Sequence, residues 1–271
     1  MSRKVALIDM DSILFTAFYG KKVNDPMTGE PKREDGKFVI IEKTDEEIEE
    51  SLDGIMKMIF ETGEFTHYIG FVKGKNTINT RLAIYPEYKQ GRPPTPERWE
   101  FTKAYAIKAW NAVPIDNIEV DDAIRIASLN IPDSHIVAID KDLLWLAGTN
   151  FNWRKNEWIT VTKEQEAKNF AVSMICGDTV DKISGLKGKG DKYCEKNNIE
   201  TLEGVFKAYL EHYYPSSKAV YEFYRTFTVL NMLEESGHFT VMPTPIKISE
   251  TDEQETTVSR SASGGLPNTK D

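Results

Sequence analysis

The chain has 271 residues, 40% of them hydrophobic, enough to bury a proper core as one large domain or a domain with a small appendage. No run of about 18 apolar residues occurs, and the amino terminus lacks the charged, apolar and small-residue zones of a secretory signal. Membrane-spanning and secreted classes are therefore not expected; the expected location is the cytoplasm, or a host's cytoplasm for a phage-encoded chain.

The net charge of -9 taken alone argues against a nucleic-acid partner, but its distribution argues the other way. Between Lys73 and Lys108, eight Lys or Arg stand against three Glu, and from Lys182 to Lys196 five Lys stand against two acids. Much of the negative charge lies in Glu42 to Asp53 and reads as a solvated helix face. Cys176 and Cys194 have no metal-ligand spacing and are expected as buried thiols.

In chain order, "KVALI" at Lys4 to Ile8 is a short apolar run of strand formers that ends at Asp9, placing this acid at a strand's carboxyl end. Residues 21 to 42 mix Gly, Pro and charge and read as an excursion, with a hairpin ending in "KFVII". Thr44 and Glu47 form a capping box ahead of a helix carrying Ile48, Leu52, Ile55, Met56 and Ile59 at helical spacing. "THYIGFV" is a second strand. Residues 74 to 98 are basic and Pro-rich and are expected to be irregular, whereas "FTKAYAIKAWNAV" is helical, with most of Trp99, Phe101, Tyr105 and Trp110 in core packing.

"VDDAIRIASL" is a helix with Glu119, Asp121 and Asp122 at its start, where the helix dipole tolerates negative charge. "HIVAIDKDLLWL" is a strand delivering Asp140 and Asp142, "FNWRKNEWITV" is a hairpin, and Thr162 with Gln165 caps a helix running to Cys176. Past Gly177 the pattern is helical, through "TLEGVFKAYLEHYY" and "AVYEFYRTFTVLNML". Alternating strands and helices predict an α/β fold with a mostly parallel sheet covered on both faces, whose ligands bind beyond the strands' carboxyl ends. The domain expectation is a core over 1–176 with a basic region at about 74–112, a helical region over 177–250, and a disordered tail over 251–271 with almost nothing apolar.

Asp9, Glu119, Asp121, Asp122, Asp140, Asp142, Asp178 and Asp181 come from four segments, each at a strand end, a helix start or the loop beyond. A parallel sheet brings these points to one edge, where eight carboxylates repel unless protonated or neutralised by cations. Oxygen-only ligands suit Mg2+ or Mn2+ better than zinc, and two such ions about 4 Å apart can activate water and stabilise the leaving oxygen of a phosphodiester. Singly, each acid is equally readable as a helix cap.

"VALIDMDSILF", "YPEYKQGR", "IEVDDAIRIAS", "AIDKDLLWL" and "GDTVDKISGLKGKGDK" occur in an order that resembles the flap endonuclease or 5'-nuclease family, over about residues 4 to 200. The resemblance implies a PIN-like nuclease core followed by a helix-three-turn-helix DNA-binding segment, and a metal-dependent nuclease cutting phosphodiesters at 5' ends, flaps, nicks or RNA–DNA primer junctions in replication or repair. It implies that Asp9, Glu119 and Asp121 hold a first ion with Asp122 adjacent, and that Asp140, Asp142, Asp178 and Asp181 hold a second. Lys89 and Arg92 would contact the scissile phosphate at the foot of a helical arch, with Tyr88 free to stack on a base. In the last motif Gly185, Gly188 and Gly190 would turn backbone N–H groups toward a duplex phosphate, with K+ in the turn, while Lys187, Lys189 and Lys192 add salt-sensitive attraction. The implied partners are DNA or RNA–DNA duplexes with a 5' single-stranded end or flap, and replication proteins, acting on a monomer.

The chain departs from the family in two places. Where the family ends its second strand in an aspartate, this sequence reads "GFVKGK", leaving Val72 or Lys73 at that position and Asp11 as a substitute or as a cap of the next helix. In the turn, Lys182, Ser184 and Lys189 replace the usual Asn, Pro and Ile, adding positive charge and keeping the glycines. Two other readings compete: a haloacid-dehalogenase-like phosphatase with Asp9 as nucleophile and Asp11 as acid/base, and a non-catalytic DNA-binding member of the nuclease fold.

Overall fold

A computed structural model describes residues 3–34, 37–234 and 243–248. The tail expected to be disordered lies outside these residues.

Five consecutive buried residues form β1 (Val5–Asp9), which runs directly into α1 (Met10–Phe18). The excursion that follows is two small antiparallel ladders: β2 (Lys21–Lys22) and, after β3 (Arg33–Glu34) and β4 (Lys37–Phe38), β5 (Ile40–Ile41), with β2 paired to β5 and β3 to β4. Thr44 and Glu47 close the expected capping box at the head of α2 (Asp45–Gly63), whose Ile48, Leu52, Met56 and Ile59 are buried. Next comes β6 (His67–Lys73).

The basic segment departs from the expectation of irregular chain. It contains a one-and-a-half-turn helix, α3 (Asn79–Ile84), followed by turns that bury Tyr85 and Tyr88. The longest exposed run of the region is Gln90–Thr95. Beyond it α4 (Arg98–Trp110) lies on α1 and α2, with Trp99 and Thr102 buried. Asp53 accepts hydrogen bonds from the Tyr105 hydroxyl at 2.9 Å and the Trp110 indole at 2.8 Å, which ties α2 to α4. The helix ends earlier than its apolar pattern suggests, because Asn111 takes a left-handed conformation (φ 47°) and releases the chain into β7 (Val113–Ile115).

The second half reads α5 (Val120–Asn130), β8 (Ser134–Ala138), α6 (Lys141–Leu144), the hairpin β9 (Gly148–Asn152) and β10 (Glu157–Val161), then α7 (Lys163–Cys176) behind the expected Thr162–Gln165 box. A tight turn with β11 (Gly177–Asp178) and β12 (Ile183–Ser184) leads into α8 (Asp191–Asn197), α9 (Leu202–His212), α10 (Ser216–Leu230) and the short edge strand β13 (Ile246–Lys247).

The strands form one sheet in the order β10-β9-β8-β1-β6-β13, with β7 also on β6. Neighbours β8–β1, β1–β6, β8–β9 and β6–β7 are parallel, while β10 and β13 are antiparallel edges. Alternation along β1 sends Ala6 and Ile8 to a core shared with α1, α2 and α4, and Val5 and Leu7 to a core shared with α5. A third core, around Met174, Leu186, Val205, Tyr209 and Phe223, joins α7 to α10 into a helical unit. Cys194 is buried and Cys176 half-buried; both are free thiols. Among the described residues no helix is long and apolar enough to cross a membrane.

Candidate active site

β1 and β8 are parallel neighbours; β1 ends on Asp9, Asp140 follows β8 two residues past its last residue, and each aspartate caps the next helix. Asp9 Oδ1 accepts from the Asp11 amide at 3.1 Å, and Asp140 Oδ1 accepts from the Asp142 amide at 2.9 Å. Capping and site-building therefore coincide: the bond that starts each helix also fixes the strand-end acid, and brings the acid two residues on into the same crevice.

The charges show which acids are neighbours. Burial pushes the Asp9 carboxyl up to about 7, with Asp11 and Asp140 adding to it. Asp121 is raised well above the ordinary range by burial, then by Asp9, Asp140 and Glu119. Asp142 is raised to about 6 by burial and Asp140, with Asp178 and Asp181 contributing. Asp140 thus stands between two groups, Asp9/Glu119/Asp121 on one side and Asp142/Asp178/Asp181 on the other. Seven of the eight acids singled out in the sequence share one crevice at the carboxyl edge of the parallel strands.

Asp122 is the one set apart. Fully buried, it accepts two bonds from Arg81 (2.7 and 2.8 Å), one from the Glu119 amide at 3.2 Å and one from the Leu233 amide at 3.0 Å. Both its oxygens are committed to holding chain together, and the expected place beside an ion is corrected to that of an anchor.

Three cations line the acids. Arg81 bonds to Glu119 Oε2 and Asp122 Oδ2, each at 2.7 Å, and to the carbonyls of Val229 and Asn231. Lys89, in a left-handed conformation (φ 55°), pairs with Glu119 Oε1 and reaches Asp181 at 3.8 Å; Arg92 pairs with Asp181. The Lys89 amide also bonds to the Asp181 carbonyl at 2.8 Å, so the "YKQGR" segment and the "GDTVD" turn meet directly. Among the described residues, no three acid, histidine or cysteine side chains stand close enough around one point to hold an ion. Glu119 and Asp181 are drawn to these cations, and Asp178 Oδ1 is taken by the amides of Val180 and Asp181. By chemistry the donor set, all carboxylate, mutually repelling and free of His and Cys, fits hard divalent ions.

Tyr88 departs from expectation. It is buried, and its hydroxyl donates to Glu119 Oε2 at 2.6 Å. Burial and the Glu119 charge hold its proton on far above the ordinary range. A ring packed in this way has no face to offer a base, and its part is to orient Glu119.

In the turn after α7 the glycines divide. A Cβ on Gly185 would fall on the backbone of Ile175 and Cys176, and one on Gly177 on the backbone of Gly185 and Ile183. These two let the turn's strands touch, which replaces the phosphate-facing part expected of Gly185. Gly188 (φ 75°) and Gly190 have open space at their Cβ positions. Among the described residues, the amides of Lys187, Gly188 and Gly190 have no backbone partner. Lys187 and Lys192 are exposed, while Lys189 lies over the Tyr193 ring at 4.1 Å.

Arg81 is the functional residue that pattern reading passed over, since its segment was expected to be irregular. The available signal was Arg81 and Tyr85 at i, i+4 spacing, which puts the guanidinium and one ring on the same side of a short helix.

A parallel α/β core with carboxylates collected at its strand ends, followed by a helix-turn-helix, defines the class of PIN-like nuclease cores. The 5'-3' exonuclease, N-terminal resolvase-like domain family matches residues 4–173, more than half the chain, and the protein belongs to that family. It is accordingly a 5'-nuclease and a hydrolase, which overturns the phosphatase reading. Among solved structures, the bacteriophage T5 protein co-crystallised with metal ions shares the fold at TM-score 0.58 and 14% identity, covering 84% of this chain and 89% of that one. A variant of the T5 flap endonuclease, in a pseudo-enzyme-product complex with DNA and metal ions, matches at TM-score 0.58, 15% identity and the same coverage. The T5 5'-exonuclease with bound zinc matches at TM-score 0.56 and 15% identity, over 84% and 89% of the two chains.

Proposed function

We propose that this protein acts as a monomer on DNA or RNA–DNA duplexes bearing a 5' end or flap, hydrolysing the phosphodiester near the junction and leaving a 5'-phosphate during replication or repair. The observation that carries this reading is the convergence of seven carboxylates from four chain segments, close enough that their charges help to raise the proton affinity of Asp9, Asp121 and Asp142. Bound Mg2+ or Mn2+ would supply an activated water and neutralise charge on the leaving oxygen. Asp9, Glu119 and Asp121 would hold one ion, and Asp140, Asp142, Asp178 and Asp181 a second.

The chain's own groups do the rest. Tyr88 and Arg81 fix Glu119 from behind. Lys89 lies between Glu119 and Asp181, at the edge of the carboxylate set, where its ammonium would meet the scissile phosphate. Arg92, half exposed at its tip, joins it there, and both offset charge that builds in the transition state. The duplex behind the junction rests on the turn after α7, where the amides around Gly188 and Gly190, with K+, meet a phosphate and Lys187, Lys189 and Lys192 add attraction.

A second reading, a binder without catalysis, draws on one observation: β6 ends in buried Val72 and exposed Lys73 with no acid. Cleavage of 5'-labelled flap, nick and hybrid substrates separates the two. Product in Mg2+ or Mn2+, lost with EDTA and abolished by Asp142→Asn while DNA affinity is kept or increased, supports the nuclease. Binding without cleavage at ample protein and metal establishes the binder, and unchanged cleavage by Asp142→Asn removes the proposed site.

A further inference from the structure

We propose that Asp11 is a further carboxylate of the ion site at Asp9, filling the flank of the crevice where β6 supplies none; this rests on the nuclease reading above. Asp9 is in register with Phe71, so Val72 and Lys73 are the residues of β6 that extend past it toward the crevice. Neither can serve. The Val72 side chain is fully buried in the core that includes Trp99, and Lys73 is a cation.

Asp11 comes to the same place from the other chain direction. It sits in the first turn of α1, and its Oδ1 accepts a hydrogen bond from the Lys73 amide at 2.9 Å, which pins the carboxylate over the end of β6. The helix cap is Asp9 and not Asp11, so the capping explanation for this acid is gone. Oδ1 carries the bond to Lys73; Oδ2 has no hydrogen bond among the described residues and lies on the carboxylate that neighbours Asp9. The ammonium groups of Lys73, Lys103 and Lys89 also lie within electrostatic reach, so the competing role for Asp11 is that of counter-ion to these lysines.

The substitution that separates the roles is Asp11→Asn. An asparagine keeps an oxygen for the Lys73 amide and removes the charge. The control is Asp116→Asn, which changes charge equally at the next parallel strand end, where Asp116 Oδ1 likewise accepts from a backbone amide, that of Lys75 at 2.6 Å. Mn2+ binding is measured without DNA, by titration calorimetry and by loss of the free-ion EPR signal, on full-length protein checked by circular dichroism. The expected result is a weakening of the tightest Mn2+ site by about tenfold or more in Asp11→Asn, with Asp116→Asn like wild type. Equal affinity of Asp11→Asn and wild type overturns the assignment, as does an equal loss in both variants, which would mark a general charge effect. Should Asp11→Asn fail to fold, Asp11→Glu provides the second arm: it keeps the charge, so Mn2+ binding is expected within about threefold of wild type, and its loss overturns the proposal. Wild type that binds no Mn2+ at all breaks the metal-dependent reading itself, a different failure from an unaffected Asp11→Asn.

Discussion

Two segments of this molecule are rich in cations, and they use them in opposite ways. The stretch from α3 through Arg92 turns inward: Arg81, Lys89 and Arg92 each contact an acid of the crevice. The turn between α7 and α8 faces outward: among the described residues Lys182, Lys187 and Lys192 have no acidic partner, and all three are exposed. A local excess of positive charge is thus two different things. In the first segment it is compensation for a crowd of carboxylates; in the second it is an unspent field for a polyanion.

The inward half is the place where a single change does most damage. Arg81→Ala is expected to cost about 3–5 kcal/mol, because it leaves Asp122 buried with no counter-charge and releases the strap of backbone at Val229 and Asn231. Urea denaturation reads this directly. Arg81→Lys should recover only part of the loss, since an ammonium cannot make the two-pronged contact to Asp122. A loss below about 1 kcal/mol, the range of a surface pair, would mean that the inward cations are not structural and would erase the contrast.

Much of this was open to reading in the chain, for identifiable reasons. Val5 to Ile8 form a short unbroken apolar run ending on Asp9, Thr44 with Glu47 and Thr162 with Gln165 mark helix starts, and both patterns act over a few residues. From strand ends in a parallel sheet, the meeting of seven acids followed as geometry. What escaped depended on distant partners. Asp122 looks like its neighbour Asp121, and only Arg81 and Leu233, far off in sequence, make it an anchor. Tyr88 reads as a surface aromatic until Glu119 claims its hydroxyl. Gly185 and Gly188 are the same letter, and which one is close-packed is decided by the backbone of Ile175 and Cys176. The edge strands β7 and β13 are three and two residues long, too short to show a period.

The two glycines sharpen the outward half. Gly185→Ala forces a methyl group into the backbone of α7's last turn, so the whole turn must shift and duplex binding should largely disappear. Gly188→Ala meets open space and bears only the strain of φ 75°, about 1–2 kcal/mol, so duplex affinity should drop modestly. Fluorescence anisotropy with a labelled duplex measures both. Equal effects would show that the turn does not depend on the close approach at Gly185.

The smallest effect is the most direct test of the contrast. Lys187 is exposed and unpaired, so contact with a duplex phosphate would release a counterion; Lys187→Ala should weaken binding and lower the slope of log K against log salt by about one. Lys89 already lies between Glu119 and Asp181, and a phosphate must first displace these carboxylates. With EDTA present, Lys89→Ala is therefore expected to leave the slope unchanged, although it also removes one positive charge. If the two substitutions flatten the slope equally, the metal-free crevice binds DNA through the same field as the turn, and the division between compensating and unspent cations fails.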